Sequence, residues 1–504
     1  MRRIFACVLA VVVIAGSPVA AQNKGGAEGK AQVDDPSERL VENYWDQMLG
    51  GHFGEAIAVA KDLKPADAEG QAMVAAMRAS ALLGLKREGE ARRLISEARK
   101  LDTRSSVAAR FLFFGGLLTD HYDVSADALD ELIARFPDDV RQFELTTMYS
   151  FLRNEPKDED RRNEDRRVQL ARIGFGGELH DYFTFRAVQI LTERGDMAGA
   201  AALLSRIDEP ELVENMLIQK RYAALWPKLA ELGGPHLAKF RASSVEAIER
   251  ALAEKPDDHE LLQMYIRALG AAARFGDAVK LRSRLPQSSS EMDSADEQIG
   301  WAINNLSYVL YRAGRVDEAD QLLESLNHAK ISDGSWRVSM IINRLEMLTA
   351  AGRFDKAAAL MAETETSARD NGSDYARQLV RRLKYCTLTR LGRKGEAARI
   401  RPDMIAHAKD QLTATIDGLI CAGEPDAAEQ LILQGLKETD PEKRRDFEDD
   451  FVRMMQPVAL TSDDPSLWET AWRDMRSRPA IAKEFNRLGR IMPEDLLPPK
   501  PNSN

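Results

Sequence analysis

A six-residue turn recurs along this chain, and it dictates what the chain can fold into. It reads Gly51-His-Phe-Gly-Glu-Ala56, Gly195-Asp-Met-Ala-Gly-Ala200 and Gly314-Arg-Val-Asp-Glu-Ala319. It continues as Gly352-Arg-Phe-Asp-Lys-Ala357, Gly392-Arg-Lys-Gly-Glu-Ala397 and Gly423-Glu-Pro-Asp-Ala-Ala428. Looser copies without the glycine end at Ala91, Ala128 and Ala278. Each copy follows one helical apolar pattern and opens another. Glycine supplies the left-handed residue that ends a helix. The acidic residue before the alanine suits the positive end of the next helix, and the alanine lets two helices cross closely. From alanine to alanine the intervals are 35, 37, 72, 78, 41, 38, 40 and 31 residues, so one degenerate unit hides in each long gap. A helix–turn–helix unit with this period predicts an all-α stack of repeats.

The best single copy is residues 299–330, IGWAINNLSYVLYRAGRVDEADQLLESLNHAK. It resembles the tetratricopeptide-repeat family. Leu306 stands at the family's first-helix leucine, and Gly314, Ala319 and Leu323 match its turn and second-helix positions. Ser307 replaces the usual glycine, and no proline closes the unit. The resemblance covers residues 265–435 and again 40–135, and it is weak through 136–264. It implies a right-handed α-solenoid of antiparallel helix pairs whose first helices line a concave, peptide-holding groove.

A chain of 504 residues exceeds one compact core, so a stack or several domains are required. Met1-Arg2-Arg3, an apolar run from Ile4 to Gly16 and the small residues Pro18-Val19-Ala20-Ala21 read as a bacterial Sec signal peptide (1–21). Cleavage is expected between Ala21 and Gln22, which implies the periplasm. Residues 22–37 read as a disordered lead-in. After it come repeats over 38–135, degenerate helical repeats over 136–264 and clearer repeats over 265–440. A helical cap over 441–490 carries Trp468 and Trp472 on one face, and the proline-rich 491–504 read as an extended or disordered tail. Gln287-Ser-Ser-Ser-Glu291 and Arg369–Asp374 read as inter-helix loops.

The formal charge of −10 becomes −12 once Arg2 and Arg3 leave with the signal. An acidic chain without a basic block argues against nucleic acid and against a polybasic membrane anchor. The mature chain contains no apolar run long enough to span a bilayer. Seven scattered histidines show no metal-ligand spacing, and no Gly-x-Ser-x-Gly elbow occurs. Gly174-Phe-Gly176-Gly177 lacks the third glycine of a phosphate cradle. No catalytic, cofactor or metal site is therefore expected. The run from Lys157 to Arg167 reads as a solvated helix face with its own i,i+4 pairs, Asp158 with Arg162 and Arg161 with Asp165. Cys386 and Cys421 lie one repeat apart. With helices packing at about 8–10 Å, the expectation is two small buried thiols; a bridge is the alternative.

In the best repeat Ile299, Ile303, Leu306 and Leu310 form one apolar face, and Trp301, Asn304, Tyr308, Tyr311 and Arg312 cluster opposite. Aromatics and arginine turned from a core suit a binding surface, although packing on the next repeat would also explain them. Neighbouring first helices would add Gln263, Arg267, Glu346, Arg382, Arg390 and Asp417 to the same groove. The function expected is a non-enzymatic scaffold for a protein or peptide of the bacterial envelope. Two alternatives are the helical support of an enzyme of the lytic transglycosylase type and a self-associating structural protein. Against the enzyme, Glu-Ser occurs only at Glu324-Ser325, inside a second helix.

Overall fold

The computed structural model describes residues 36–101, 104–156, 159–177, 181–327, 336–457 and 467–497. The expected signal peptide with Ala21 and Gln22, nearly all of the lead-in, Asp158 and the last seven residues of the tail lie outside them. Two compact units meet between Arg194 and Gly195. The first holds α1 (Pro36–Gly50), α2 (Phe53–Asp62), α3 (Ala68–Gly84), α4 (Glu88–Lys100), α5 (Val107–Leu118), α6 (Tyr122–Arg135), α7 (Pro137–Val140), α8 (Leu145–Asn154), α9 (Asp160–Ile173) and α10 (Tyr182–Glu193). The second begins with α11 (Met197–Leu203), α12 (Pro210–Ile218), α13 (Trp226–Gly233), α14 (Ala238–Glu254), α15 (His259–Ala271), α16 (Phe275–Lys280), α17 (Ser289–Met292), α18 (Glu297–Arg312) and α19 (Val316–Asn327). It ends with α20 (Arg337–Ala350), α21 (Phe354–Asn371), α22 (Asp374–Arg390), α23 (Lys394–Ala406), α24 (Leu412–Cys421), α25 (Pro425–Gly435), α26 (Pro441–Met454), α27 (Leu467–Arg476) and α28 (Pro479–Leu488). The protein is all-α: no strand occurs among the described residues, and none of their helices is long and apolar enough to cross a membrane.

The recurring turn does what its residues demand. Gly314 has φ +78°; its N–H donates to Tyr311 O at 2.9 Å, and the next N–H, of Arg315, reaches Leu310 O at 2.9 Å. This is the Schellman pattern that satisfies a helix's last carbonyls. Gly51, Gly352, Gly392 and Gly423 repeat it, and Gly195 shares the positive φ. Lys86 and Ala273 hold the same left-handed position in the copies without glycine. The alanines at 56, 91, 200, 278, 319, 357 and 428 are 0% exposed and Ala397 is 4% exposed, as close helix crossing requires. The arginine after the turn had no assigned role in the sequence. In Arg87–Glu90, Arg315–Glu318 and Arg393–Glu396 it forks onto the acidic residue across the first turn of the next helix.

One copy shifts by three residues. The left-handed residue before α6 is Asp120 (φ +59°), so the alanine position falls on Ser125 and not on Ala128. Ser125 is 0% exposed and spends its hydroxyl on Phe113 O at 2.9 Å. A small side chain that satisfies its own oxygen serves as well as alanine where two helices cross. Gly174 likewise closes α9 with φ +77°.

The first unit packs around aromatics. Trp45 stacks on Phe111 with ring centres 5.1 Å apart, and Phe113 meets Phe114, Phe143 and Phe151. The charged run in α9 departs from the expected solvated face. Arg161 and Asp165 do pair at i,i+4, 3.7 Å apart. Arg162, whose expected partner Asp158 lies outside the described residues, reaches back to Asp127 and Asp130 on α6. The Arg166 side chain is 0% exposed, bonded to Asp130 at 2.6 Å and Glu155 at 3.3 Å and lying over the Phe151 ring. Helical spacing identifies partners on one helix; it is blind to a carboxylate some 35 residues earlier that packing brings opposite.

In the second unit most helices pack on the next, and those that precede the turns also pack on one another: α15 on α18, α18 on α20, α20 on α22 and α22 on α24, with α24 packing on α27. Both expected loops are shorter than the sequence implied: α17 begins at Ser289, inside 287–291, and α21 runs to Asn371. The tail is ordered through Leu497, contrary to its proline content. Arg490 lies 3.5 Å over the Trp226 ring and donates through Nε to Leu217 O at 2.7 Å, while its N–H meets Ile218 O at 2.9 Å. His236 Nδ1 contacts Leu497 O at 2.7 Å, and Met492 and Leu496 are buried. The end of the unit thus returns to its beginning, around a cavity of about 400 Å³ lined in part by Glu214, Arg241, Arg312, Arg453 and Met492.

Candidate functional site

The helices that precede the turns in the second unit carry a row of polar side chains that join in sequence order. Arg267, at the exposed edge of α15, pairs with Glu209 at 2.7 Å. Gln263, one turn earlier, accepts from Asn305 of α18 at 2.9 Å. Asn304 accepts from Asn343 of α20 at 3.0 Å. Glu346, also on α20, accepts from Arg382 of α22 at 2.6 Å. Arg382 donates its other nitrogen to Asp417 of α24 at 3.1 Å, and the second oxygen of Asp417 accepts from Trp472 of α27 at 3.2 Å. The row thus reaches the cap.

Its electrostatics follow from burial. The Arg382 side chain is 6% exposed and lies between two carboxylates, which hold it charged. Burial pushes Asp417 up to about 6; Arg382 works against this, and Glu346 adds to it. Burial also raises the Tyr308 and Tyr311 phenols, which face Glu346. The carboxylates outnumber the guanidinium, so the Glu346–Arg382–Asp417 segment carries net negative charge beside half-buried tyrosines.

Of the expected groove residues, Gln263, Tyr308, Tyr311, Glu346 and Asp417 are part-exposed along this row, whereas Arg382 is buried and spent on its two carboxylates. Asn304 does not present itself to a partner: it is 4% exposed and used against Asn343. At 100° per residue it falls between the two faces, where the next helix covers it. Arg312 also turns away, donating to Gly270 O at 3.1 Å and stacking 5.4 Å from the Phe275 ring. Arg390 sits exposed at the end of α22, with no ion pair among the described residues. Trp301 is half-buried and donates to Glu297 one turn back at 3.3 Å. The place against the next helix is filled by Trp336, whose ring leaves room at Gly300 for hydrogen alone. Asn305 and Asn343 were missed; their signal is recurrence of a polar residue at 39 to 42 positions along successive helices, while Trp472 was expected only as part of the cap. The Trp468 side chain lies outside the described set.

Cys386 and Cys421 are bonded to one another, with Cα atoms 5.4 Å apart, and both are fully buried. The expectation of two free thiols erred because it compared an axis spacing with a Cα limit. Facing Cα atoms each lie about 2.3 Å off their axis, so helices at ordinary spacing bring them within bridging reach. Gly418 helps, since any side chain there would strike Met404 and Arg382.

Among the described residues no cluster of His, Cys, Asp or Glu is placed to hold a metal ion. What the row offers is recognition by shape, hydrogen bonding and charge. No family model matches the chain, and no curated protein matches it.

Proposed function

We propose that the protein is a right-handed α-solenoid of tetratricopeptide-like antiparallel helix pairs, exported to the bacterial periplasm through residues 1–21. It works there as a non-enzymatic scaffold, holding a peptide or protein of the envelope on its first-helix face. The observation that carries this reading is the polar row from Gln263 to Trp472, flanked by Trp301, Tyr308 and Tyr311, on helices that pack in sequence order. The left-handed residues and buried alanines at the turns support the repeat assignment. The Cys386–Cys421 bond supports an oxidising compartment.

The test joins Trp301→Ala with Tyr308→Ala in the mature protein and measures both melting temperature and partner recovery from periplasmic and outer-membrane extracts. Loss of a reproducible partner at unchanged melting temperature supports the groove. A large fall in melting temperature assigns the aromatics to packing, and recovery of only the chain itself points to self-assembly. N-terminal sequencing of exported protein should begin at Gln22, and a start at Met1 overturns the export claim.

A further inference from the structure

The first unit carries a separate feature, independent of the row above. Tyr149, Leu152 and Arg153 of α8, Arg167 of α9, and Tyr182, Phe183 and Arg186 of α10 line a cavity of about 260 Å³. Among the described residues its lining contains three arginines and no carboxylate, although acidic residues outnumber basic ones, 80 to 70, in the chain as a whole. Arg167 is neutralised by Glu155. Arg186 has only the amide oxygen of Gln189, at 3.1 Å, and Arg153 has no partner among the described residues. Two positive charges therefore line the cavity with no carboxylate partner among the described residues.

The rings beside them are unusually open. Tyr149 is 38% exposed and Tyr182 52%, two of the few large hydrophobic side chains left so. Tyr149 stacks on Phe183 at 5.2 Å and meets Tyr182 at 6.0 Å, so the aromatic wall is held by its own packing. Rigid tyrosines present apolar area at little entropic cost, and guanidinium forks match carboxylates. The cavity is partly open to solvent, so a peptide can reach it.

We propose that this cavity is a docking site for an extended acidic segment of a partner protein, with side-chain carboxylates held by Arg153 and Arg186 and an aromatic residue between them laid on Tyr149, Tyr182 and Phe183. The partner's charge complements the local excess, which the chain's own acidic surface repels elsewhere.

Fluorescence anisotropy of the mature chain provides the test. The probe is a fluorescein-labelled decapeptide, blocked at both ends, with Glu-Phe-Glu at its centre in a Gly/Ser frame. Controls replace the centre with Gln-Phe-Gln or Glu-Ala-Glu. The parent peptide should bind at least about tenfold more tightly than the Gln form, the scale of one charge-assisted contact, and should weaken with salt. The double variant Arg153→Gln with Arg186→Gln should abolish the preference without lowering the melting temperature, and Tyr182→Ala should weaken the parent more than the Glu-Ala-Glu peptide. Equal affinity for the Glu and Gln forms, unchanged binding by the double variant, or no binding of the parent at millimolar protein overturns the proposal. So does tighter capture of an unblocked terminal carboxylate, which would assign the arginines to a chain end.

Discussion

Asp417→Asn tests whether the buried row is held together at the expense of its last carboxylate. In the folded chain this group sits at about 6 against an ordinary value of 3.8, because burial outweighs the attraction of Arg382 while Glu346 repels it. A carboxyl whose pKa rises on folding binds its proton more tightly folded than unfolded. Folding is therefore favoured where the group is protonated, below about 4, and that advantage drains away as pH climbs through about 6. The difference between the two values converts to about 3 kcal/mol at neutral pH. The side chain is 20% exposed, so solvent screening removes little of this. Asparagine keeps the shape and an acceptor oxygen but carries no charge. The variant should match the wild type near pH 4 and exceed it in stability by up to about 3 kcal/mol above pH 7. Denaturant unfolding of both proteins at half-unit steps from pH 4 to 8 gives the difference curve, in which every other titration cancels. A flat difference, or a wild type that gains on the variant as pH rises, would show that Arg382 more than offsets the burial and would refute the reasoning.

Reduction of Cys386–Cys421, or its replacement by two alanines, opens a loop spanning 35 residues; the loss should be about 3–4 kcal/mol on the chain-entropy scale, read as a lower melting temperature with reductant in the wild type alone. Arg166→Leu removes a fully buried guanidinium from Asp130 and Glu155. It should cost up to about 3–5 kcal/mol at pH 7 by denaturant unfolding, less to the extent that Arg162 and Arg167 still hold Asp130 and Glu155. Gly314→Ala forces a side chain onto φ +78°, with an expected loss of about 1 kcal/mol, whereas Gly395→Ala inside α23, where open space surrounds the new methyl, should gain about 0.5–1 kcal/mol. Equal effects of the two glycine substitutions would remove the turn argument.

What could be read from the sequence was what is local in the chain. At the tight repeat turns one helix ends on a left-handed residue just before the next begins, so these turns showed themselves through glycine. The apolar face of α18 followed from spacing, and all four of its expected core residues are buried. Even the slip at Asp120 is a local error, since aspartate tolerates the same φ and serine substitutes for alanine. What could not be read depends on rotation of one helix against another. The partners of Arg162 and Arg166 on other helices were not seen, Asn304 and Arg312 were placed on the wrong side, and the cysteines were read as unbonded. The ordered tail belongs with these, because a segment rich in proline gives no sign that Trp226 waits for Arg490.

The row and the bridge are connected through the register of two helices. Along α22, Gln378, Arg382 and Cys386 succeed one another at intervals of four, and each meets a residue of α24: Thr415 at 2.7 Å, Asp417 at 3.1 Å and Cys421 through the sulfurs. On its other flank α22 meets α20 through Glu346 with Arg382 and through Thr349 with Thr387, 3.2 Å apart. A buried ion pair gains little over an apolar contact, but it tolerates misalignment badly because each charge left over is costly. A covalent bond one turn away removes that misalignment. With the register fixed, Glu346 and the tyrosines stand ordered before any partner arrives, and binding need not supply the entropy of arranging them. If the proposed groove binds a partner, the bridge supports it without touching it, and reduction should weaken partner capture before it unfolds the chain.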